Sequence, residues 1–222
     1  MPERRHSESH GPGVIVLAVQ IVGIGVERHE IGMTWLDRLI QSWRIRKASK
    51  YIFETARVLD IGCADGHLFR ACRYLQGGIG IDPDLPSNIP LQNALLVSGF
   101  FPQDLPDRRG FDVITMLAVL EHIPPTGQRP LARECFDVLK PGGTLVITVP
   151  SPLTDTVLEV LKRLRLIDGM NLEEHYGYDV RLTPRLFCEA GFELLRSERF
   201  QLGLNNLFVF ARPAATEAAG AP

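Results

Sequence analysis

An α/β fold with a doubly wound, mostly parallel sheet of seven strands is what this sequence predicts, on two observations. Short apolar stretches alternate with helical ones from residue 57 onward, and the last two strand-like stretches stand only four residues apart. Strands separated by helices at this spacing need crossovers, and crossovers give a parallel sheet covered on both faces. Two strands joined by "QLGL" are too close for a crossover and must pair as an antiparallel hairpin.

The 222 residues suit one such domain, large enough to bury a core without staples. A net charge of -2 gives no field that would draw nucleic acid, which is not expected as a partner. Residues 1–32 read as a poorly specified extension. Their apolar run, "VIVLAVQIVGIGV", is shorter than the roughly 20 residues of a membrane helix, and Gly23 and Gly25 break it as a strand. Arg4 and Arg5 precede it, but no small-x-small cleavage site follows, so a membrane-touching leader is the rival reading and no membrane span is expected.

The domain is expected over residues 33–212. Trp35, Leu36, Leu39, Ile40 and Trp43 recur at helical spacing, and Arg44, Arg46, Lys47 and Lys50 suit the negative end of that helix. "ARVLDIG" is the first strand, followed by a helix over residues 66–75, then "GGIGID", "ALLVSG" and "FDVITML". Three prolines in "PDLPSNIPLQN" leave little room for a helix between the second and third strands. Helices follow over residues 128–139, 153–166 and 184–190. "GGTLVITVP" is the fifth strand, and "FELLRSERF" and "NNLFVFARP" form the hairpin. Residues 213–222, rich in Ala and Gly, read as a disordered tail. Cys63, Cys72, Cys135 and Cys188 form no C-x-x-C pair, so free thiols and a cytoplasmic location are expected. No clustered Asp, Asn or His follows the strands, so no metal is expected.

In an open parallel sheet, ligands sit beyond the carboxyl ends of the strands. The first strand runs into "GCADG", where Gly62 and Gly66 let the backbone approach a ligand. The second ends in Asp82, about 20 residues on, where a carboxylate can accept bonds from both hydroxyls of a ribose. Together these imply a nucleoside. Asp60, just before the first glycine, would repel a pyrophosphate and suits a ligand whose near end carries an amino group. S-adenosylmethionine has that group and a sulfonium charge as well.

The motifs "VLDIGCADG", "GIDPD", "FDVITMLAVLEHI" and "FDVLKPGGTLVITVP" resemble the successive motifs of class I S-adenosylmethionine-dependent methyltransferases, over roughly residues 57–213. The resemblance implies a Rossmann-like seven-stranded sheet with the last strand antiparallel. It implies that Asp60, Gly62, Cys63, Ala64 and Gly66 hold the methionine portion, that Asp82 holds the ribose, that Pro83 lies along the adenine, and that Leu117 borders the methionine. "LKPGG" would be a tight structural turn, with Pro141 stopping the helix. This chain departs from many relatives in two places. Ala64 stands where glycine is common. Phe100 stands where an aspartate often bonds the adenine, which suggests stacking instead.

The resemblance also bears on the acceptor. Neither the Asn/Asp-Pro-Pro-aromatic motif of nucleobase amino-methylases nor a Pro-Cys nucleophile is present, so a small-molecule methyl acceptor is expected, with O-, N- and C-methylation all open. His122, in "LEH", and His175, in "EEHYGYDVRLTP" with Tyr176 and Tyr178, are the candidate catalytic residues. Against an enzyme stand two alternatives. A noncatalytic nucleoside-binding protein is disfavoured by the intact Asp60 and Asp82, and a nicotinamide-dependent oxidoreductase by Asp60 and the missing third glycine.

Overall fold

The computed structural model describes residues 35–108, 110–151 and 178–214. Within them an eight-stranded sheet is built from β1 (Arg57–Ile61), β2 (Gly77–Asp82), β3 (Ile89–Pro90), β4 (Leu95–Ser98), β5 (Phe111–Leu117), β6 (Leu139–Pro150), β7 (Glu193–Phe200) and β8 (Asn205–Ala211), in the order β3-β4-β2-β1-β5-β6-β8-β7. The pairs β1–β2, β2–β4, β1–β5 and β5–β6 are parallel, whereas β8 runs antiparallel to both β6 and β7. The chain lays β2 and β4 on one side of β1, then returns to place β5 on the other. The strand order therefore reverses between β1 and β5, where such folds open a ligand crevice.

Side chains alternate across the strands, so each face buries its own layer. Leu59, Ile61, Ile114, Met116 and Ile147 pack under α3 (Pro125–Val138) and α4 (Thr183–Glu189), with Leu131, Cys135 and Phe187 from the helices. Val58, Val113, Val146, Leu207 and Val209 pack under α1 (Trp35–Ala48) and α2 (His67–Ala71), with Ile45, Ala48, Leu68 and Phe69. By the same alternation Asp60 and Thr115 belong to the second, apolar layer, and both are buried.

The fold class predicted from the sequence holds, hairpin included, but three details differ. The eighth strand is β3, where the proline-rich stretch is extended long enough for Ile89 and Pro90 to pair antiparallel with β4 at the sheet edge, the place where a residue without an N–H is tolerated. The helix expected over residues 66–75 is only His67–Ala71, because Cys72 already has non-helical angles of φ -97 and ψ 58. Pro141 does not itself stop α3, which ends at Val138; Leu139 is already extended and opens β6. The residue before a proline is disfavoured in helical geometry, so Lys140 ends the option of helix one residue early. The surplus residues around Gly142 (φ 79) are absorbed by a bulge opposite the start of β5.

No helix among the described residues is long and apolar enough to cross a membrane. Residues 1–32, the helix expected over 153–166, His175 with Tyr176, and residues 215–222 lie outside the described residues.

Candidate functional site

The loop after β1 is fixed by three left-handed residues: Gly62 (φ 73), Ala64 (φ 46) and Gly66 (φ 79). Glycine is required at the first, since a Cβ on Gly62 would lie 2.3 Å from Cγ2 of Val119. Gly62 and Cys63 donate their N–H groups to the carbonyl of Ile81 at 2.9 and 3.4 Å, and Gly66 donates to the carbonyl of Cys63 at 2.9 Å. Ala64 spans the glycine position of many relatives in the same left-handed geometry, at the modest strain an alanine bears there. Cys63 turns its side chain into the sheet. A Cβ on Gly80 would meet its Sγ at 2.7 Å, and burial pushes the thiol far above its usual range, so it stays neutral.

Asp82 closes the loop. Its Oδ2 accepts the Ala64 N–H at 2.8 Å and its Oδ1 accepts the Asp84 N–H at 2.9 Å. Sequence reasoning places this carboxylate at a strand end, free to meet a ligand. The structure gives it a second task, strapping the β1 loop to β2. Each carboxylate oxygen can accept two bonds, so capacity for a diol remains. The backbone carbonyl of Asp82 also takes the Gly99 N–H at 3.2 Å, which brings Phe100 to the same edge. Phe100 and Pro83 are both half-buried, and the Phe100 N–H is held by Oδ2 of Asp104 at 2.8 Å.

Asp60 is more constrained than its place in the sequence suggests. It is 4% exposed, and Thr115 donates its hydroxyl to Oδ1 at 2.6 Å. Burial lifts its pKa from 3.8 to about 7; the Thr115 bond opposes this and the Asp82 charge adds to it. Thr115 escaped sequence reasoning, although one signal was there: in "FDVITML" it is a hydroxyl on a strand face otherwise given to valine and leucine.

Beyond Leu117, itself half-buried, the chain turns sharply through Ala118 (φ 60) into the single 3-10 turn Leu120–His122. Val119 seats this turn against Gly62. Glu121 is buried, and its Oε1 lies 3.9 Å from Nε2 of His122, whose side chain is 30% exposed. At the entry to α4, the Tyr178 hydroxyl and the Thr183 hydroxyl hydrogen-bond at 2.8 Å. Burial pushes the Tyr178 phenol up to about 12, Thr183 partly opposing and the Glu121 charge adding to the rise. The sequence-predicted residues thus fall into two groups. Asp60, Gly62, Cys63, Ala64, Gly66 and Asp82 form one clasp, with Pro83 and Phe100 on its β2 side. Leu117 and His122 reach it through Val119, a contact that nothing in the sequence announced.

Comparison with known proteins adds to this geometry. A ubiquinone biosynthesis O-methyltransferase of Pseudomonas putida is 30% identical over 130 residues, 52% of this chain and 50% of that protein. A protein of the same description from Xanthomonas campestris is 33% identical over 113 residues, 46% of each. The chain spans about half the length of the curated relatives it matches. An N-methyltransferase from Bradyrhizobium japonicum, solved in complex with S-adenosyl-L-homocysteine, shares the fold with a TM-score of 0.54 at 16% identity, over 81% of this chain and 89% of that one. The family described as "Methyltransferase domain" matches residues 34–197, a span that holds the glycine loop, both aspartates and the turn after β5, and the chain belongs to that family.

Proposed function

We propose that this chain is an S-adenosylmethionine-dependent methyltransferase acting on a small molecule through an oxygen nucleophile. The observation that carries the reading is the pair of buried carboxylates, Asp60 and Asp82, on either side of one glycine loop. Their mutual repulsion contributes to holding Asp60 near 7. A pyrophosphate against this loop would add to that repulsion, whereas a ligand bearing an ammonium relieves it. Asp82, with acceptor capacity left on both oxygens, fits the ribose diol. Asp60 fits the amino group, and the half-buried Phe100 and Pro83 fit the flat face of an adenine.

When bound, S-adenosylmethionine supplies a methyl group on a positively charged sulfur. The protein's part is to fix the loop, exclude water from the crevice and bring the acceptor into line. The preference for oxygen follows the O-methyltransferases of Pseudomonas and Xanthomonas, which match about half of this chain.

Calorimetry tests the reading directly. S-adenosylmethionine and S-adenosylhomocysteine are expected to bind and NAD is not. Binding of NAD, or of none of the three, would overturn it.

A further inference from the structure

The outer face of α1 and the tip of the β7–β8 hairpin take no part in the cofactor clasp. We propose that together they form a docking surface for an anionic lipid bilayer. The inference goes beyond the methyltransferase reading and does not depend on what the crevice holds.

Charge comes first. From Arg38 to Phe53 the chain carries five cations and no acid. Two of the five are used inside the fold. Lys47 pairs with Glu198 and lies over the Phe200 ring, and Arg44 donates to Oδ1 of Asn205 at 3.2 Å. Arg38, Arg46 and Lys50 are exposed and make no ion pair among the described residues. Other exposed cations have an acid beside them, as Lys140 has Asp112 at 2.6 Å and Arg108 has Glu134 at 2.7 Å. A basic face left unmatched by its own fold is complementary to an anion from outside.

Apolar surface lies among these cations. Leu39, Trp43, Arg46 and Lys50 follow one another at steps of four, three and four, so they share one stripe of α1 and of the 3-10 turn Ser49–Tyr51 that extends it. Leu39 is 47% exposed and Trp43 46%. The face packed on the sheet is a different one, that of Ile45 and Ala48. Packing in the core therefore does not account for the outward leucine and indole.

The hairpin tip lies against the same helix. Gln201 donates to the carbonyl of Ile40 at 2.9 Å and accepts from Asn205. Ser151 donates to the Gly203 carbonyl at 2.6 Å. Between these clamps Leu202 takes a left-handed φ of 57 and is 100% exposed. The backbone is thus held against its preference with an aliphatic side chain wholly in water. Asn205 pairs with Pro150, the last residue of β6, so the tip stands at the carboxyl edge of the sheet, where the crevice opens.

A bilayer of anionic lipid answers to all three features. Leucine and indole side chains enter the boundary between headgroups and acyl chains, and Lys and Arg beside them meet the negative surface. A nucleic acid would use the cations and the indole but gives two exposed leucines nothing to bury against.

The test sediments the full chain with vesicles of phosphatidylcholine alone or mixed with phosphatidylglycerol. Binding is expected to the mixed vesicles only, and to weaken as salt is raised. A cation near such a surface contributes about fivefold, so the triple variant Arg38→Gln, Arg46→Gln, Lys50→Gln should bind at least about tenfold more weakly. Leu202→Ser, at a fully exposed position where folding is not at stake, should also lose at least about tenfold. Trp35→Phe leaves Trp43 as the only indole, whose emission should shift to the blue on the mixed vesicles and be quenched by brominated lipid. Equal binding to both vesicles, binding to neither, or undiminished binding of either variant would overturn the proposal. So would a Trp43 already shielded from acrylamide before vesicles are added, which would give this face to residues 1–32, or a Trp43 that responds to single-stranded RNA and not to vesicles. The methyltransferase reading rests on cofactor binding and stands apart from every one of these outcomes.

Discussion

Asp60→Asn separates what the carboxylate does for the fold from what it does for the ligand. The side chains are nearly isosteric, and an asparagine oxygen can still accept the Thr115 hydroxyl that Asp60 accepts at 2.6 Å. What disappears is the buried charge. With its pKa raised from 3.8 to about 7, Asp60 holds its proton in the folded state over a range where the unfolded chain has lost it. Between those values the folded state binds more protons, so its stability falls as pH rises. The cost is absent below about pH 4. It grows to about 1.5 kcal/mol at pH 5 and levels off near 4 kcal/mol above pH 7. Asp60→Asn should therefore stabilise the ligand-free protein by about 4 kcal/mol at pH 8 and much less at pH 5, while weakening S-adenosylmethionine binding at both. Urea unfolding at the two pH values gives the first quantity and calorimetry the second. A stability gain that is the same at both pH values, or a loss at pH 8, would show that the buried charge is not what destabilises the site.

Three further outcomes follow from the same geometry. Asp82→Asn offers one acceptor to two backbone N–H groups, so it should cost about 2–3 kcal/mol of stability in denaturant unfolding and also weaken S-adenosylhomocysteine binding measured by calorimetry; undiminished stability would mean the strap is unimportant. Gly62→Ala, which drives a Cβ to 2.3 Å from Val119, should cost about 2–3 kcal/mol, of which Val119→Ala recovers part in a double-mutant cycle; additive losses would deny the contact. A chain beginning at Met33 should melt cooperatively and bind S-adenosylhomocysteine as the full chain does; a broadened transition would place part of residues 1–32 in the core.

What the sequence made legible is what depends on pattern. Alternation marked every long strand, and the four-residue spacing of "QLGL" forced the hairpin that β7 and β8 form. β3 was missed because two paired residues at an edge leave no periodicity to read. In the site, glycine and acid at strand ends were visible because each is unusual at its place in the chain. Thr115 and Val119 were not, because their importance lies in a partner more than 50 residues away. The Asp82 strap was hidden for another reason. Its donors are backbone N–H groups, which every residue but proline carries and which leave no trace in a sequence.

The position of β8 has a consequence for how the chain is made. Among the described strands the last in the chain, β8, is not the last in the sheet: it lies between β6 and β7 and carries β7 at the edge. Just after it, the Arg212 N–H bonds the Gly143 carbonyl at 2.9 Å, and its guanidinium lies 4.4 Å from the Phe136 ring centre, tying the end of β8 to the start of β6. Among the described strands, a nascent chain that has reached Phe200 thus carries β6 and β7 without the strand that pairs with both. Exposed edges of this kind are templates for association with other chains. Vectorial synthesis leaves this gap until β8 emerges, so the partly made sheet, more than the finished one, is the species that needs protection from aggregation.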